Sequence, residues 1–261
     1  ACAEEKKRAG EDYTKAKAFY DSIYKGNSAR FSLSGDLKEE KEDCGFCKIF
    51  DDFIDRVKVG EFCKKHRITE NVFFTSVMGY VMGQYNHSED AIFTTVYNGR
   101  KDSRTMNTFG MLVKTLPVYC YFTKDMTVAD YMTKAQSQLM DSMQNDIYSF
   151  AEISNSYKIK PEIMFVYQGD NFVEFEIGGQ KTVFREAVSD KAKANISVNI
   201  FVENNRYRFE FEYMSHIYSK SFIEHFYDIF ITAADSFLTA DRIGDISVLS
   251  KNEEARIEKF N

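Results

Sequence analysis

The sequence has no tryptophan and only two prolines in 261 residues. No Pro/Gly/Ser-rich stretch marks a linker, so a single domain over residues 1–261 is the economical reading. Its four histidines, at positions 66, 87, 216 and 225, include no adjacent pair. The five cysteines (positions 2, 44, 47, 63 and 120) are odd in number. A chain of this length folds without covalent staples, so a disulfide framework is not expected. No apolar run approaches the length needed to span a bilayer, and the stretch AEEKKRAGED near the N-terminus is charged rather than signal-like, so the expected location is the cytoplasm. There is no concentrated basic face either. Net charge is −6, and the lysines are interleaved with acids throughout, which argues against nucleic acid as a partner. What the chain does have is aromatic mass: 24 Phe and 16 Tyr, ample for a packed core and too much for a disordered chain.

Periodicity gives alternating helix and strand, then an antiparallel tail. Residues 3–24 read as a helix with Tyr13, Ala16, Tyr20, Ile23 and Tyr24 on one face. Residues 27–48, with the charge run DLKEEKED, read as a solvated connector. Helices are predicted over about 51–66 and 70–86, the second capped by Thr69 and apolar on most sides. A strand follows at 91–97. Pro117 marks the strand 111–122 as an edge or a bulge. Thr127 to Asp130 resembles a capping box opening a helix whose Val128, Tyr131, Met132, Ala135, Leu139 and Ser142 share a face. Ile163 to Tyr167 is a nearly all-apolar strand that belongs mid-sheet. Ile196, Val198, Ile200 and Val202 alternate with Ser197, Asn199 and Phe201. After the turn signal Asn204-Asn205, Tyr207, Phe209, Phe211 and Tyr213 alternate likewise, which predicts a hairpin with one face buried. A last helix, about 219–238, carries Ile223, Phe226, Phe230, Ala233 and Phe237 toward the sheet.

Residues 91–117, AIFTTVYNGRKDSRTMNTFGMLVKTLP, are the most informative stretch. A strand runs into Asn98-Gly99-Arg100, a polar loop follows, and then Phe109-Gly110-Met111-Leu112-Val113-Lys114-Thr115-Leu116-Pro117. This resembles the condensation domains of nonribosomal peptide synthetases, whose second half carries a strand, Gly-Arg, a loop and Gly-x-Phe-Val-Asn-Thr-Leu-Pro. Six such matches fall in order along the chain. They are the helix–Thr–helix–strand–Gly-Arg unit at 54–100 and the Gly motif at 110–116. Gln144 to Glu152 is similar to His-Gln-Asp-Tyr-Pro-Phe-Glu, and Met164 to Gln168 to an apolar strand ending in Gln. Lys193 to Ser197 is similar to a Lys-Phe-Asp-Leu strand start, and Ile243 to Ser250 to the closing segment. Three departures stand out. Lys114 occupies the family's Asn position, Ser149 stands for the Pro, and Arg-Asp-x-Ser-Arg-Asn-Pro is reduced to Ile159-Lys160-Pro161.

The resemblance implies an α/β fold of the α+β sandwich kind. It would be a chloramphenicol-acetyltransferase-like lobe in which helices flank a mixed, mostly antiparallel sheet. Two such lobes enclose a tunnel in the family, and the first supplies the His of His-His-x-x-x-Asp-Gly. That motif is absent here, so the chain is expected to be the C-terminal lobe only, catalytically silent alone, with no catalytic residue of its own. Arg100, Gly110, Lys114, Thr115, Asn145, Asp146 and Gln168 match family motifs and are the implied channel positions. No cofactor or metal is expected on the chain; phosphopantetheine belongs to partner carrier domains. The implied partners are the N-terminal lobe, peptidyl or acyl carrier domains, and an adjoining adenylation domain, with no nucleic acid and no membrane. Residues 169–193, rich in Phe172, Phe175, Ile177 and Phe184, are either a segment crossing to the other lobe or an ordinary edge hairpin.

Two alternatives stay open: a stand-alone acyltransferase of the chloramphenicol-acetyltransferase type, using His216 or His225, and a non-catalytic docking module of a megasynthase. Weaker candidates have plainer explanations. Cys44-Gly-Phe-Cys47 has redox or zinc spacing but lacks a second ligand pair, so loop thiols are preferred. No Gly-Lys-Ser/Thr follows Gly178-Gly179, so it is not a phosphate loop. At Arg100 a guanidinium could brace the channel against an acid or hold loops together.

Overall fold

The computed structural model of the chain describes residues 8, 10–26, 32–38, 44–50, 54–100, 106, 108–170, 176–181 and 192–249. In chain order the elements begin with helix α1 (Glu11–Tyr24), strand β1 (Cys44–Phe50) and helices α2 (Arg56–His66) and α3 (Glu70–Tyr85). Strands β2 (Asp90–Tyr97) and β3 (Lys114–Tyr121) follow, then helices α4 (Val128–Gln144) and α5 (Phe150–Tyr157) and strand β4 (Ile163–Gly169). A two-residue ribbon, β5 (Glu176–Ile177) and β6 (Gln180–Lys181), precedes strands β7 (Ile196–Glu203) and β8 (Arg206–Met214), helix α6 (Lys220–Phe237) and a 3-10 turn at Ile243–Asp245.

The main sheet has six strands in the order β1-β8-β7-β4-β2-β3. Its outer pairs are antiparallel, and β4 lies parallel to both β2 and β7, so the sheet is mixed and mostly antiparallel. The nearly all-apolar β4 is central, as expected of a largely buried strand. β3, whose Pro117 has no N–H to donate, is an edge. β7 and β8 form the predicted hairpin, with Asn204 and Asn205 at φ +50° and +62°, the left-handed pair a two-residue turn of this kind requires.

Helices α3, α4 and α6 cover one face of the sheet. Every residue of α3 from Val72 to Gly83 is buried, because the helix lies between the strands and the two outer helices. Phe74 is its central knob, with ring centroids 4.8 Å from Tyr207 and 6.0 Å from Tyr167. Side chains hold the helix starts: Thr69, Thr127 and Ser219 accept from the amides of Val72, Asp130 and Phe222, each such cap contributing about 1 kcal/mol. A smaller cluster lies on the other face, where Ala16, Tyr20 and Tyr24 of α1 meet Ile153 of α5, Tyr148 and Ile92 of β2. Farther along that face β8 carries Arg208, which pairs with Glu203 and Glu210 and stacks on the Phe201 ring.

Two expectations need correction. The stretch 27–48 is not connector throughout, because Cys44 to Lys48 open the edge strand β1, paired residue by residue with β8. The Cys44-Gly-Phe-Cys47 motif therefore lies on a strand rather than in a loop. Residues 27–31 and 39–43 lie outside the described residues, as does most of 169–193. The part of 169–193 that is described includes the β5–β6 ribbon, which turns at Gly178-Gly179.

Candidate functional site

The motif positions gather at the end of the sheet where β2 and β4 finish and β3 begins. β2 runs out at Tyr97 and the chain turns through Asn98-Gly99-Arg100. The Asn98 side chain accepts from the Arg100 amide at 3.0 Å. Gly99 has φ +69°, and a Cβ there would lie 2.0 Å from the Leu112 carbonyl oxygen, so only glycine lets the two arms of the loop close on each other. The Arg100 guanidinium then braces the loop, donating from Nη1 to the Thr108 carbonyl at 3.0 Å and from Nη2 to the Gly110 carbonyl at 3.4 Å. Beyond this brace Phe109 is fully exposed, and Met111 and Val113 are exposed beside it.

Lys114 opens β3 opposite Tyr97. Its Nζ donates to the Asp146 carbonyl oxygen at 3.2 Å and stands 3.6 Å from the Asp146 carboxylate, whose side chain is only 7% exposed. Asp146 lies in the five-residue crossover by which the chain leaves α4 and passes to α5. Asn145 ends α4, its Nδ2 donating to the Asp141 carbonyl at 2.8 Å. Ser149, at the family's proline position, caps α5 in a full capping box with Glu152. The Tyr97 phenol is pushed up by burial and then by the Asp146 charge.

The structure thus brings two pairs together, Arg100 with Gly110 and Lys114 with Asp146. Thr115 is half-buried on β3 opposite Val96. Gln168 stands apart. β4 is separated from β3 by β2, a distance of roughly 10 Å, and Gln168 faces away from the helix layer, its Nε2 donating to Asn199 of β7 at 3.2 Å.

None of the four histidines lies on these segments. His66 ends α2, His87 follows α3, His216 follows β8, and His225 is exposed on the outer side of α6. His216 is half-buried and its Nδ1 has no hydrogen-bond partner. Burial raises the Cys63 and Cys120 thiols to about 12 and also raises Cys47, so all three are poor nucleophiles at neutral pH. Among the described residues no group of three or more His, Cys, Asp or Glu side chains could hold a metal ion, and no helix is long and apolar enough to cross a membrane.

Motif reading missed two features. One is the Ser149-x-x-Glu152 cap, whose pattern is legible in the sequence as a helix start. The other is the Glu70–Tyr167–Tyr207 contact, which no local pattern announces.

Comparison with known proteins gives these positions a context. The sequence profile of the condensation domain matches residues 1–258. Bacitracin synthase 1 of Bacillus licheniformis is 22% identical over 262 residues, covering 95% of this chain and 5% of that protein. Bacitracin synthase 3 of the same organism is 24% identical over 219 residues, covering 77% of this chain and 3% of that protein. The chain therefore spans only a small part of these curated relatives. Among solved structures, the first condensation domain of the calcium-dependent antibiotic synthetase superposes with a TM-score of 0.77 at 12% identity, covering 95% of this chain and 56% of that one. The match over residues 1–258 makes this chain a member of the condensation domain family, with the chloramphenicol-acetyltransferase-like fold that the superposition shows.

Proposed function

We propose that this chain is the C-terminal lobe of a condensation domain, which in the intact synthetase joins two carrier-bound acyl groups through an amide bond. One observation carries this reading: the chain aligns over nearly its whole length with 56% of a solved condensation domain, yet it contains no two adjacent histidines. In the reaction an amine attacks a thioester carbonyl, a C–N bond forms, the C–S bond breaks, and the amine proton leaves with help from a base. The base belongs to the missing lobe. This chain supplies a wall, in which Arg100 holds the Thr108 and Gly110 carbonyls, Lys114 ties β3 to Asp146, and Asn145, Thr115 and Gln168 complete the surface.

The substrates arrive on phosphopantetheine arms of carrier domains, so the arm is part of the substrate and not a resident group of this chain. The partners are the N-terminal lobe, the carrier domains and an adjoining adenylation domain, in the cytoplasm. The acidic surface fits none of the requirements of a nucleic-acid partner.

The test has two arms. Reading the coding sequence upstream should reveal His-His-x-x-x-Asp-Gly within roughly one domain length. Amide formation between two loaded carrier domains should then occur with the parent synthetase and not with the 261-residue chain alone. Turnover by the isolated chain, or an upstream sequence without the motif, would overturn the proposal and return attention to His216 and His225.

A further inference from the structure

Strand β4 does not end in line with its neighbour. Its pairing with β7 shifts register between Tyr167 and Gly169, and Gly169 has φ +61°. A bulge of this kind bends its strand and re-aims a side chain. The residue inside the shift is Gln168, whose amide reaches Asn199. A Cβ at Gly169 would come within 3.2 Å of the Tyr167 ring, so the ring lies against the bend itself.

The anchor of that ring is on the helix side of the sheet. The Tyr167 hydroxyl donates to Glu70 Oε2 at 2.6 Å, and the Tyr207 hydroxyl donates to the same oxygen at 2.8 Å. Arg56 Nε stands 3.7 Å from that oxygen, while Arg56 Nη1 donates to Asn205 in the β7–β8 turn at 2.9 Å. One carboxylate thus gathers α2, α3, β4 and β8, and through Arg56 the hairpin turn. Burial first, and then the Glu70 carboxylate, hold the Tyr167 phenol well above its usual range, so it remains a donor across the working pH range. Hydrogen bonds to an ionised acceptor are the short, strong ones.

We propose that Glu70 is a positioning residue: through the Tyr167 hydroxyl it fixes the bulge of β4, and so aims Gln168. The consequence for amide formation rests on the function proposed above; the clamp does not.

Hydrogen exchange on the 261-residue chain tests the clamp. Tyr167→Phe keeps the ring and removes only the hydroxyl. It should speed exchange of amides 168–170 by about tenfold or more, and Glu70→Leu, which removes the acceptor, should do the same. Tyr207→Phe takes a comparable hydrogen bond from the same oxygen on another strand, so it should lower the melting temperature similarly without accelerating 168–170. Equal exchange at 168–170 in the two tyrosine variants overturns the clamp.

In the parent synthetase, Tyr167→Phe should slow amide formation about tenfold at saturating carrier, with an unchanged apparent KM. An active parent untouched by the substitution overturns the positioning of Gln168. A wild-type parent that forms no amide overturns the function, while faster exchange at 168–170 would still support the clamp.

Discussion

Removing the charge of Glu152 tests how α1 and α5 are held against the sheet. This carboxylate accepts from the Ser149 amide at 2.9 Å, from the Ser149 hydroxyl at 2.6 Å and from the Tyr13 hydroxyl at 2.8 Å, and it pairs with Arg8. Burial opposes its ionisation, but the Ser149 and Tyr13 hydrogen bonds and the Arg8 charge outweigh it and hold the carboxyl at about 2, against an ordinary 4.5. A displacement of that size corresponds to about 3.4 kcal/mol at neutral pH. The side chain is 30% exposed, and screening by water lowers the figure to about 1–2 kcal/mol.

Glu152→Gln keeps an acceptor for the capping box and removes the charge. Because the folded pKa is depressed, the stabilisation is complete above about 4.5 and fades as the pH falls through about 2. Urea unfolding at pH 7 should show the variant less stable by about 1–2 kcal/mol, and the gap should shrink to less than half by pH 3. A gap that persists unchanged at pH 3 would show that shape rather than charge holds the cap. No gap at pH 7 would show the Arg8–Glu152–Tyr13 cluster to be energetically inert.

Three further outcomes are expected. Lys114→Met removes the donor to the Asp146 carbonyl and a cation beside a buried carboxylate, and should cost about 1–3 kcal/mol in urea titration; a neutral result would mean the pair does not hold β3 to the α4–α5 crossover. Phe74→Ala empties a fully buried site among Tyr167, Tyr207, Phe209 and Phe230 and should cost about 3–5 kcal/mol by chemical unfolding; a loss below about 1 kcal/mol would mean the layer repacks. The double substitution Phe109→Ser, Met111→Ser acts on fully exposed apolar surface. It should leave stability within about 0.5 kcal/mol in urea unfolding, and a larger loss would show that these side chains pack against the folded chain.

Most of the fold is legible where a segment's own pattern fixes its partner face. The alternation in β7 and β8, the Asn-Asn turn, the nearly all-apolar β4 and the caps at Thr69 and Thr127 are local facts with local causes, and they stand where periodicity puts them. β1 is not legible. Its alternation is present, with Cys47 buried while Phe46 and Lys48 are exposed, but the charge run before it reads as solvent-facing. What makes it a strand is the vacant edge of β8, where Cys44 pairs with Met214 and Phe50 with Arg208. Strand preference of that kind is decided by tertiary context rather than by composition. Helix α5 is obscured for a different reason: Ser149 to Glu152 aligns with a family motif containing proline, and that match hides the capping box in the same four residues.

The site shows the same division more sharply. Motif matching orders residues along the chain, but strand order decides which of them meet. Arg100 and Gly110 belong to one loop, so their contact follows from adjacency. Lys114 and Asp146 meet because α4 returns the chain to the β3 edge, which no spacing rule states. Gln168, which matches its motif just as well, stands two strands away, bound to Asn199. The departure at Lys114 also changes meaning once its partner is visible. In the sequence it looks like a new cation at a channel position, while in the structure its ammonium already donates to the Asp146 backbone and faces the Asp146 carboxylate. An ammonium held in this way acts on the α4–α5 crossover, which it ties to the start of β3 through Asp146.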